Sequence, residues 1–258
     1  TSIKGMNDIV EPESFAWRHV ENKIKNHLEN FGYTEIRTPI VEYTQLFQRS
    51  VGDETDIVKK EMYTFADRNN ESLTLRPEGT APVVRALLEH NLLNNDPIQK
   101  FYYFGPMFRY ERPQKGRSRQ FYQYGFEVFG VMEPRMDAEI IFMLVQLYES
   151  FGLKDLSVKL SSLGCDSCRP AYLKVLVSAL EKQKSSLSPE SLVRLEKNPL
   201  RILDSKNEGD RAVVNGVPKM VDHLCEKCQD HFQSVQNDLK TLNVSYTVDK
   251  NLVRGFDY

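Results

Sequence analysis

The segment of residues 101–130 constrains the fold of this chain more than any other stretch. Its sequence, FYYFGPMFRYERPQKGRSRQFYQYGFEVFG, has two runs rich in aromatic residues on either side of a polar, basic segment at residues 111–119. Aromatic and β-branched runs bounded by turn-forming residues are typical of strands. We therefore predict two antiparallel strands joined by a long loop.

Side chains of a strand alternate between the two faces of a sheet, so the residues of this hairpin separate by parity. The first face is apolar and aromatic, can pack on helices, and includes Tyr122, Tyr124, Phe126 and Val128. The second face is mostly polar around a glycine that leaves room, and includes Met107, Arg109, Glu111, Phe121, Gln123, Gly125, Glu127 and Phe129. Burying such a face without partners would be costly, so we interpret it as the floor of a pocket for a charged, polar ligand.

The loop between the two strands concentrates positive charge in a chain whose net charge is −2. Its basic residues are Arg112, Lys115, Arg117 and Arg119. Guanidinium groups suit phosphate oxygens, and any contact with nucleic acid would have to come from local surface of this kind. The alternative is a solvated hairpin with a basic tip.

A second group of polar residues precedes the hairpin. Residues 61–76 read as a hairpin with the turn DRNNES, and they lead into LRPEGTAPVVRALLEH. Thr80 can act as an N-cap and Pro82 suits a first turn, so we predict a helix over residues 81–93. Glu78 would then lie on the turn before this helix, where its carboxylate can meet an ammonium group or merely compensate the helix dipole.

The remaining periodicity predicts helices interleaved with strands, which indicates an α+β fold with an antiparallel sheet flanked by helices. Predicted helices cover residues 12–32, 44–50, 134–152, 170–184, 189–197, 218–224 and 226–242. Predicted strands cover residues 33–43, 156–163 and the segment that begins at residue 244. We divide the chain into a catalytic core at residues 1–163, a small helical insertion domain at 164–243, and a return to the core at 244–258.

All four cysteines lie in two Cys-x-x-Cys pairs, and these pairs flank the predicted insertion domain. Cys165 and Cys168 occur in GCDSCRP, and Cys225 and Cys228 occur in LCEKCQD. Four thiolates in two such pairs can coordinate a tetrahedral Zn²⁺ ion that pins the ends of the insertion together. Free reduced thiols or a redox pair are the alternatives.

The hairpin sequence resembles motif 2 of the class II aminoacyl-tRNA synthetases, and QYGFE on its return strand is similar to the histidyl-tRNA synthetase family. RPEGT, NPLRILDSKN and the terminal RGFDY resemble the same family, and the N-terminal helix, strand and proline resemble class II motif 1. The resemblance implies a ligase that activates histidine with ATP and Mg²⁺ and transfers it to tRNA(His). It also implies a homodimer formed through motif 1 and an insertion that reaches the tRNA acceptor arm.

The same resemblance implies a role for each candidate residue. The catalytic residues would be Arg109 and Arg254, on opposite sides of the ATP α-phosphate. Histidine would be bound by Glu78, Thr80, Arg109, Gln123, Glu127 and Arg254, with the carboxylate of Glu127 on the imidazole. ATP would be bound by Arg109, Glu111, Arg117 and Phe121, with Phe121 on the adenine.

The resemblance covers the whole chain, but class II motif 3 and the anticodon-binding domain of the family are absent from it. We therefore expect an incomplete catalytic-domain fragment with little or no activity by itself. One alternative is a non-catalytic paralogue of the family that acts as a regulatory subunit, although RGFDY argues against it. A zinc-dependent nucleic-acid-binding module is another, and it leaves the polar face unexplained.

No run is apolar enough to span a membrane, and the first residues do not resemble a signal peptide, so we expect a cytoplasmic location.

Overall fold

The computed structural model describes residues 1–52, 55 and 57–253. The chain forms two compact units, one of which comprises Thr1–Val131 while the other begins at Met132. The domain boundaries expected after residues 163 and 243 stay predictions. Within the described ranges, no helix combines the length and the apolar character that a membrane crossing requires.

Helices and short strands alternate through the first unit. The elements are α1 Glu13–Asn30, β1 Thr34–Glu35, β2 Val41–Tyr43, α2 Thr44–Val51, a π-helical turn Ile57–Glu61, β3 Tyr63–Ala66, β4 Ser72–Leu75, α3 Thr80–Glu89, α4 Leu92–Asn95, β5 Gln99–Phe108 and β6 Gln120–Phe129. One sheet has the order β1-β5-β6 and the other the order β2-β4-β3. The predicted α+β class is confirmed, although β1 pairs with β5 in parallel.

The predicted long hairpin is confirmed as β5 and β6. The two strands pair antiparallel from Gln99 opposite Phe129 to Phe108 opposite Gln120. The single strand predicted over residues 33–43 is wrong in one respect, because it is divided into β1 and β2, which belong to different sheets. Pro39 lies in the break, where the absence of an N–H group costs no ladder hydrogen bond.

Both faces of the β5–β6 hairpin are packed. The aromatic face contacts α1, since Trp17 meets Tyr122 edge-on at 4.9 Å and the buried Tyr102 donates a hydrogen bond to Glu29. The other face packs on α3 through Val83 and Leu87. The polar residues of this face therefore lie on a partly apolar floor and beside the start of α3.

The second unit is mostly helical. Its elements are α5 Pro134–Ser150, β7 Val158–Leu160, α6 Arg169–Glu181, α7 Pro189–Lys197, α8 Glu208–Gly216, α9 Glu226–Thr241 and β8 Tyr246–Val248. Strands β7 and β8 pair in parallel and share a core with α5 and α9. A separate core joins α6, α7 and α8. The helix predicted over residues 218–224 is wrong, because only a 3-10 turn, Met220–Asp222, forms there, and α8 was not predicted.

Candidate active site

The centre of the candidate site is the contact between β6 and the first residue of α3. Thr80 Oγ1 donates a hydrogen bond of 2.7 Å to Glu127 Oε1. Burial raises the pKa of Glu127; the hydrogen bond from Thr80 lowers this pKa, and the charge of Glu78 raises it further. A carboxylate in such a position discriminates strongly in favour of a ligand that offers it an N–H donor.

Glu78 caps helix α3. Its Oε2 accepts a 2.7 Å hydrogen bond from the Thr80 N–H group, and its Oε1 accepts one of 2.9 Å from the Ala81 N–H group. The prediction that Thr80 is the N-cap is therefore wrong, since the N-cap residue is Gly79 and the Glu78 carboxylate satisfies the free N–H groups. The Thr80 hydroxyl is consequently available to Glu127. Carboxylate oxygens have further lone pairs, so Glu78 can also accept from an ammonium group.

Gln123 contributes an amide to the same face. Its Oε1 is buried and has no hydrogen-bond partner among the described residues. An unpaired buried acceptor costs about 1–3 kcal/mol, so a ligand or an ordered water has to supply the donor here. The strand register puts Gln123 opposite Gly105 and Glu127 opposite Phe101.

Arg109 is held just beyond the end of β5. Its Nε donates a 2.9 Å hydrogen bond to the carbonyl of Pro77, and its guanidinium carbon lies 5.2 Å from the ring centroid of Phe121. These two contacts orient the plane of the guanidinium group. The expectation that Arg109 and Glu111 continue the strand is wrong, because β5 ends at Phe108 and the Glu111 N–H group turns back to the Arg109 carbonyl at 2.7 Å.

The space predicted beside Gly125 is filled, which corrects the interpretation of that glycine. A Cβ atom on Gly125 would lie 2.0 Å from Cζ of Tyr103, and one on Gly79 would lie 2.1 Å from Cε2 of the same ring. Two glycines therefore admit one buried tyrosine next to Thr80. Burial raises the pKa of Tyr103 far above its ordinary value, so its hydroxyl stays protonated. Tyr103 was missed in the sequence, where the two glycines beside candidate residues were its only signal.

Two of the candidate ATP-binding residues, Glu111 and Arg117, lie in the basic loop that follows β5. Arg117 Nη1 lies 3.3 Å from Glu111 Oε2, with the arginine side chain 62% exposed and the glutamate 19% exposed. Arg119 donates from Nε to the Glu111 carbonyl, and its guanidinium lies 4.1 Å from the ring centroid of Tyr110. The structure thus brings together Glu78, Thr80 and Glu127, and separately Arg109 with Phe121 and Glu111 with Arg117. Gln123 shares the strand face of Glu127 but lies four residues from it. Arg254 lies outside the described residues.

A second candidate site is formed by the cysteines of the second unit. The Sγ atoms of Cys165, Cys168, Cys225 and Cys228 all lie within 4.8 Å of one another. The predicted convergence of the two Cys-x-x-Cys pairs is therefore confirmed. Four sulfur atoms at this spacing could hold a metal ion.

Sheet, flanking helices and the polar hairpin face together define the core of a class II aminoacyl-tRNA synthetase. The structure superposes on apo histidyl-tRNA synthetase of S. aureus with a TM-score of 0.79 and 37% identity, over 100% of this chain and 59% of that one. The sequence profile described as histidyl-tRNA synthetase matches residues 5–258, so the chain belongs to the histidyl-tRNA synthetase family.

Curated relatives agree with this assignment. A histidine–tRNA ligase of Thermodesulfovibrio yellowstonii is 50% identical over 99% of this chain and 61% of its own length. One of Trichlorobacter lovleyi is 50% identical over 100% of this chain and 62% of its own length. The chain thus spans about three fifths of the length of these relatives.

One solved structure bears on the regulatory-subunit alternative. A protein of Bacillus halodurans described as an ATP phosphoribosyltransferase regulatory subunit/histidyl-tRNA synthetase has a TM-score of 0.69 at 20% identity. At that identity the likeness concerns the fold alone. The sequence agreement with ligases is much the stronger.

Proposed function

We propose that this chain forms the catalytic core of a histidine–tRNA ligase. The reaction joins the carboxylate of histidine to the α-phosphate of ATP with release of pyrophosphate, and then passes the activated histidine to tRNA(His). The observation that carries the proposal is the hydrogen-bonded polar group of Glu78, Thr80 and Glu127 at the N-terminus of α3. Gln123 lies on the same face of β6. The 50% identity to proteins named histidine–tRNA ligase supports it.

Histidine would bind by its two ends. Glu127 would accept a hydrogen bond from the imidazole N–H group, while Thr80 keeps the carboxylate in place. Glu78 and the unpaired Oε1 of Gln123 would accept from the α-ammonium group, with help from the Thr80 hydroxyl. An amino acid without a donor at the imidazole position would leave Glu127 with the hydrogen bond from Thr80 alone, so that the remaining desolvation cost of this carboxylate would not be offset.

Activation of histidine would depend on charge stabilisation. Arg109 would contact the substrate carboxylate and the α-phosphate, and Arg254 would contact the phosphate from the opposite side. Preorganised guanidinium groups stabilise the negative charge that grows as the phosphorus becomes five-coordinate. Glu111 and Arg117 would contact the nucleotide and Phe121 would stack on adenine. Mg²⁺, which accompanies ATP, would supply further charge neutralisation.

The partners follow from the same proposal. We infer a homodimer through α1 and the strands after it, where large apolar side chains are exposed: Phe15 55%, Ile40 43%, Val41 38% and Tyr43 55%. Exposed apolar surface of this kind is typical of protein interfaces. The helical segment at residues 164–243 would contact the tRNA acceptor arm, and the protein would work in the cytoplasm.

The test is ATP–pyrophosphate exchange on the complete gene product with each of the twenty amino acids in turn. We expect exchange that depends on histidine alone. Exchange with another amino acid would overturn the substrate assignment. Absence of exchange from a folded protein that still binds a partner enzyme would instead support the regulatory-subunit alternative.

A further inference from the structure

The four cysteines of the second unit have the spacing of a tetrahedral metal site. Cys165 Sγ lies 3.8 Å from the Sγ atoms of both Cys168 and Cys225, and Cys168 Sγ lies 3.9 Å from that of Cys228. Zn–S bonds of about 2.3 Å at tetrahedral angles place sulfur atoms about 3.8 Å apart, whereas a disulfide would bring two of them to about 2.05 Å. We propose that these four thiolates bind one structural Zn²⁺ ion.

The backbone around the first cysteine pair is shaped for sulfur ligands. The Cys165 N–H group donates to Cys168 Sγ at 3.2 Å, which stabilises a thiolate at that position. Gly164 has φ +66, and a Cβ atom there would lie 2.6 Å from Cys168 Sγ. Arg169 fixes this turn by donating from Nε to the Leu163 carbonyl at 3.1 Å. Only glycine fits the turn, because it combines a left-handed conformation with a close sulfur contact.

The second cysteine pair lies at the start of a long helix. Cys225 is the N-cap of α9 and Cys228 belongs to its first turn, while Cys168 is the N-cap of α6. Two helices of thirteen and sixteen residues therefore begin at the cluster. The positive ends of helix dipoles favour thiolate over thiol, which is the form that binds a metal.

Neighbouring histidines are engaged elsewhere. His231 Nε2 lies 2.7 Å from Asp137 Oδ2, and the His223 ring packs against Tyr172 with centroids 5.6 Å apart. Four thiolates already complete a tetrahedral sphere, as in closed structural zinc sites, which leave no open position for a reacting water. The ion therefore has no part in histidine activation.

The ion would close a long loop of chain. Cys165 and Cys225 are 60 residues apart in the sequence, and so are Cys168 and Cys228. Helices α6, α7 and α8 lie between the two pairs and share one core, to which the cysteines contribute. A cross-link at the ends of such a segment stabilises it by reducing the conformational entropy of the unfolded chain. We therefore assign the ion the role of holding residues 165–228 as one closed helical unit.

The test begins with elemental analysis of the purified chain. We expect one Zn²⁺ per chain, released by a mercurial reagent as four thiols are titrated. Substitution with Co²⁺ should give the intense visible bands of tetrahedral thiolate coordination. Removal of the ion by a chelator should lower Tm by about 10 °C, the shift expected for opening a loop of this length. Re-addition of Zn²⁺ should restore Tm.

Matched variants separate the cysteines from the histidines. Cys228→Ser should lose most of the bound zinc, whereas His223→Ala and His231→Ala should keep one ion per chain. If Cys228→Ser fails to fold, the metal content and the thiol titration of the unaltered chain still show whether the four cysteines bind zinc. Four freely reactive thiols without stoichiometric metal, or stoichiometric iron in place of zinc, would overturn the proposal.

Discussion

Thr80 and Glu127 are 47 residues apart in the sequence, and a hydrogen bond of 2.7 Å joins their side chains. The bond connects the first residue of α3 to the polar face of β6 near the C-terminal end of that strand. Because Glu78 holds the N–H groups of Thr80 and Ala81, the position of Thr80 is set from both sides. The carboxylate proposed to read the imidazole is thus oriented before any ligand arrives.

Glu127→Gln should weaken histidine binding by about 10²-fold, because an amide accepts a hydrogen bond less strongly than a carboxylate and can present its NH₂ group to the imidazole N–H. The same substitution should not lower the stability of the fold. The pKa of Glu127 is raised in the folded state, so ionisation destabilises the fold fully at pH values above that pKa. This cost decreases as the pH falls from that pKa toward the ordinary pKa of a glutamate and is absent below the latter. The amide removes this cost, so Tm at pH 7 should hold or rise. Calorimetric titration with histidine and thermal unfolding measure the two effects.

The control is Glu89→Gln on the same helix as Thr80. Glu89 is exposed and pairs with Arg85 at 2.7 Å, and exposed pairs contribute little. Histidine affinity should stay within twofold of the unaltered protein. Equal affinities for the Glu127→Gln variant and this control would show that the imidazole is read elsewhere.

Arg109→Lys should reduce kcat/KM for histidine-dependent pyrophosphate exchange by about 10²-fold or more. Lysine keeps the positive charge but loses the planar fork, the hydrogen bond from Nε to Pro77 and the stacking on Phe121. Arg112→Lys, in the exposed part of the same loop, is the matched control and should change the rate less than twofold. The measurement is exchange at varied histidine and ATP on the complete gene product. If Arg109→Lys behaves like Arg112→Lys, Arg109 has no role at the phosphate.

The sequence predicted the hairpin well because strand periodicity is local. Alternation alone put Phe121, Gln123 and Glu127 on one face, and the register with β5 confirms it. The Cys-x-x-Cys spacing likewise indicated that four thiols converge. Strand alternation, with its period of two residues, and the four-residue Cys-x-x-Cys motif both reflect backbone geometry directly. Tertiary packing rarely overrides the alternation in long strands.

Contacts between distant segments were not predictable in the same way. Tyr103 fills the space between Gly79 and Gly125 only because three segments meet there. The cap of α3 was misassigned because Thr80 has a side chain typical of an N-cap residue. No local pattern shows that the Glu78 carboxylate accepts the hydrogen bond from the Thr80 N–H group instead. Helix α8 was missed because glycines, which are unfavourable in helices, occupy its second and last positions, although Asn207 caps it by accepting from the N–H groups of Gly209 and Asp210.

Gly125→Ala should destabilise the first unit by about 1–3 kcal/mol or more, the usual cost of an added methyl group in a packed core. The new Cβ atom would lie 2.0 Å from the Tyr103 ring, which Gly79 blocks on its other side. Urea denaturation measures the free energy of unfolding. Gly216→Ala is the control, because its nearest neighbour would be Gln183 Nε2 at 4.0 Å, and it should be neutral or slightly stabilising.

A second-site change tests the cause of that destabilisation. Tyr103→Leu should restore part of the stability in the Gly125→Ala background, although alone it leaves a void and destabilises. Contacting residues are expected to be non-additive in this way. Strictly additive effects would mean that the tyrosine ring is not what excludes the methyl group.

Asp210→Asn should destabilise the second unit by about 2–4 kcal/mol at pH 7, because the charge is lost and an NH₂ group replaces one of the two acceptor oxygens, so that the donors facing it lose their acceptor. The fully buried Asp210 accepts from the Ser188 N–H and hydroxyl groups at 2.8 Å, from the Ser191 hydroxyl at 2.7 Å and from the Ser205 hydroxyl at 2.6 Å. Burial opposes ionisation, but these donors outweigh it and lower the pKa of Asp210 to about 2.

The pH dependence of stability gives an independent check on the same residue. A carboxyl pKa lower in the folded than in the unfolded state stabilises the fold above about pH 4, and this contribution is lost as the pH falls from about 4 to about 2. Asp210→Asn should therefore flatten the acid limb of the stability curve, measured by urea denaturation between pH 7 and pH 2. Asp204→Asn, exposed in the same segment, should leave it unchanged. An acid limb of equal slope in Asp210→Asn and the unaltered protein would mean that other carboxylates carry this dependence.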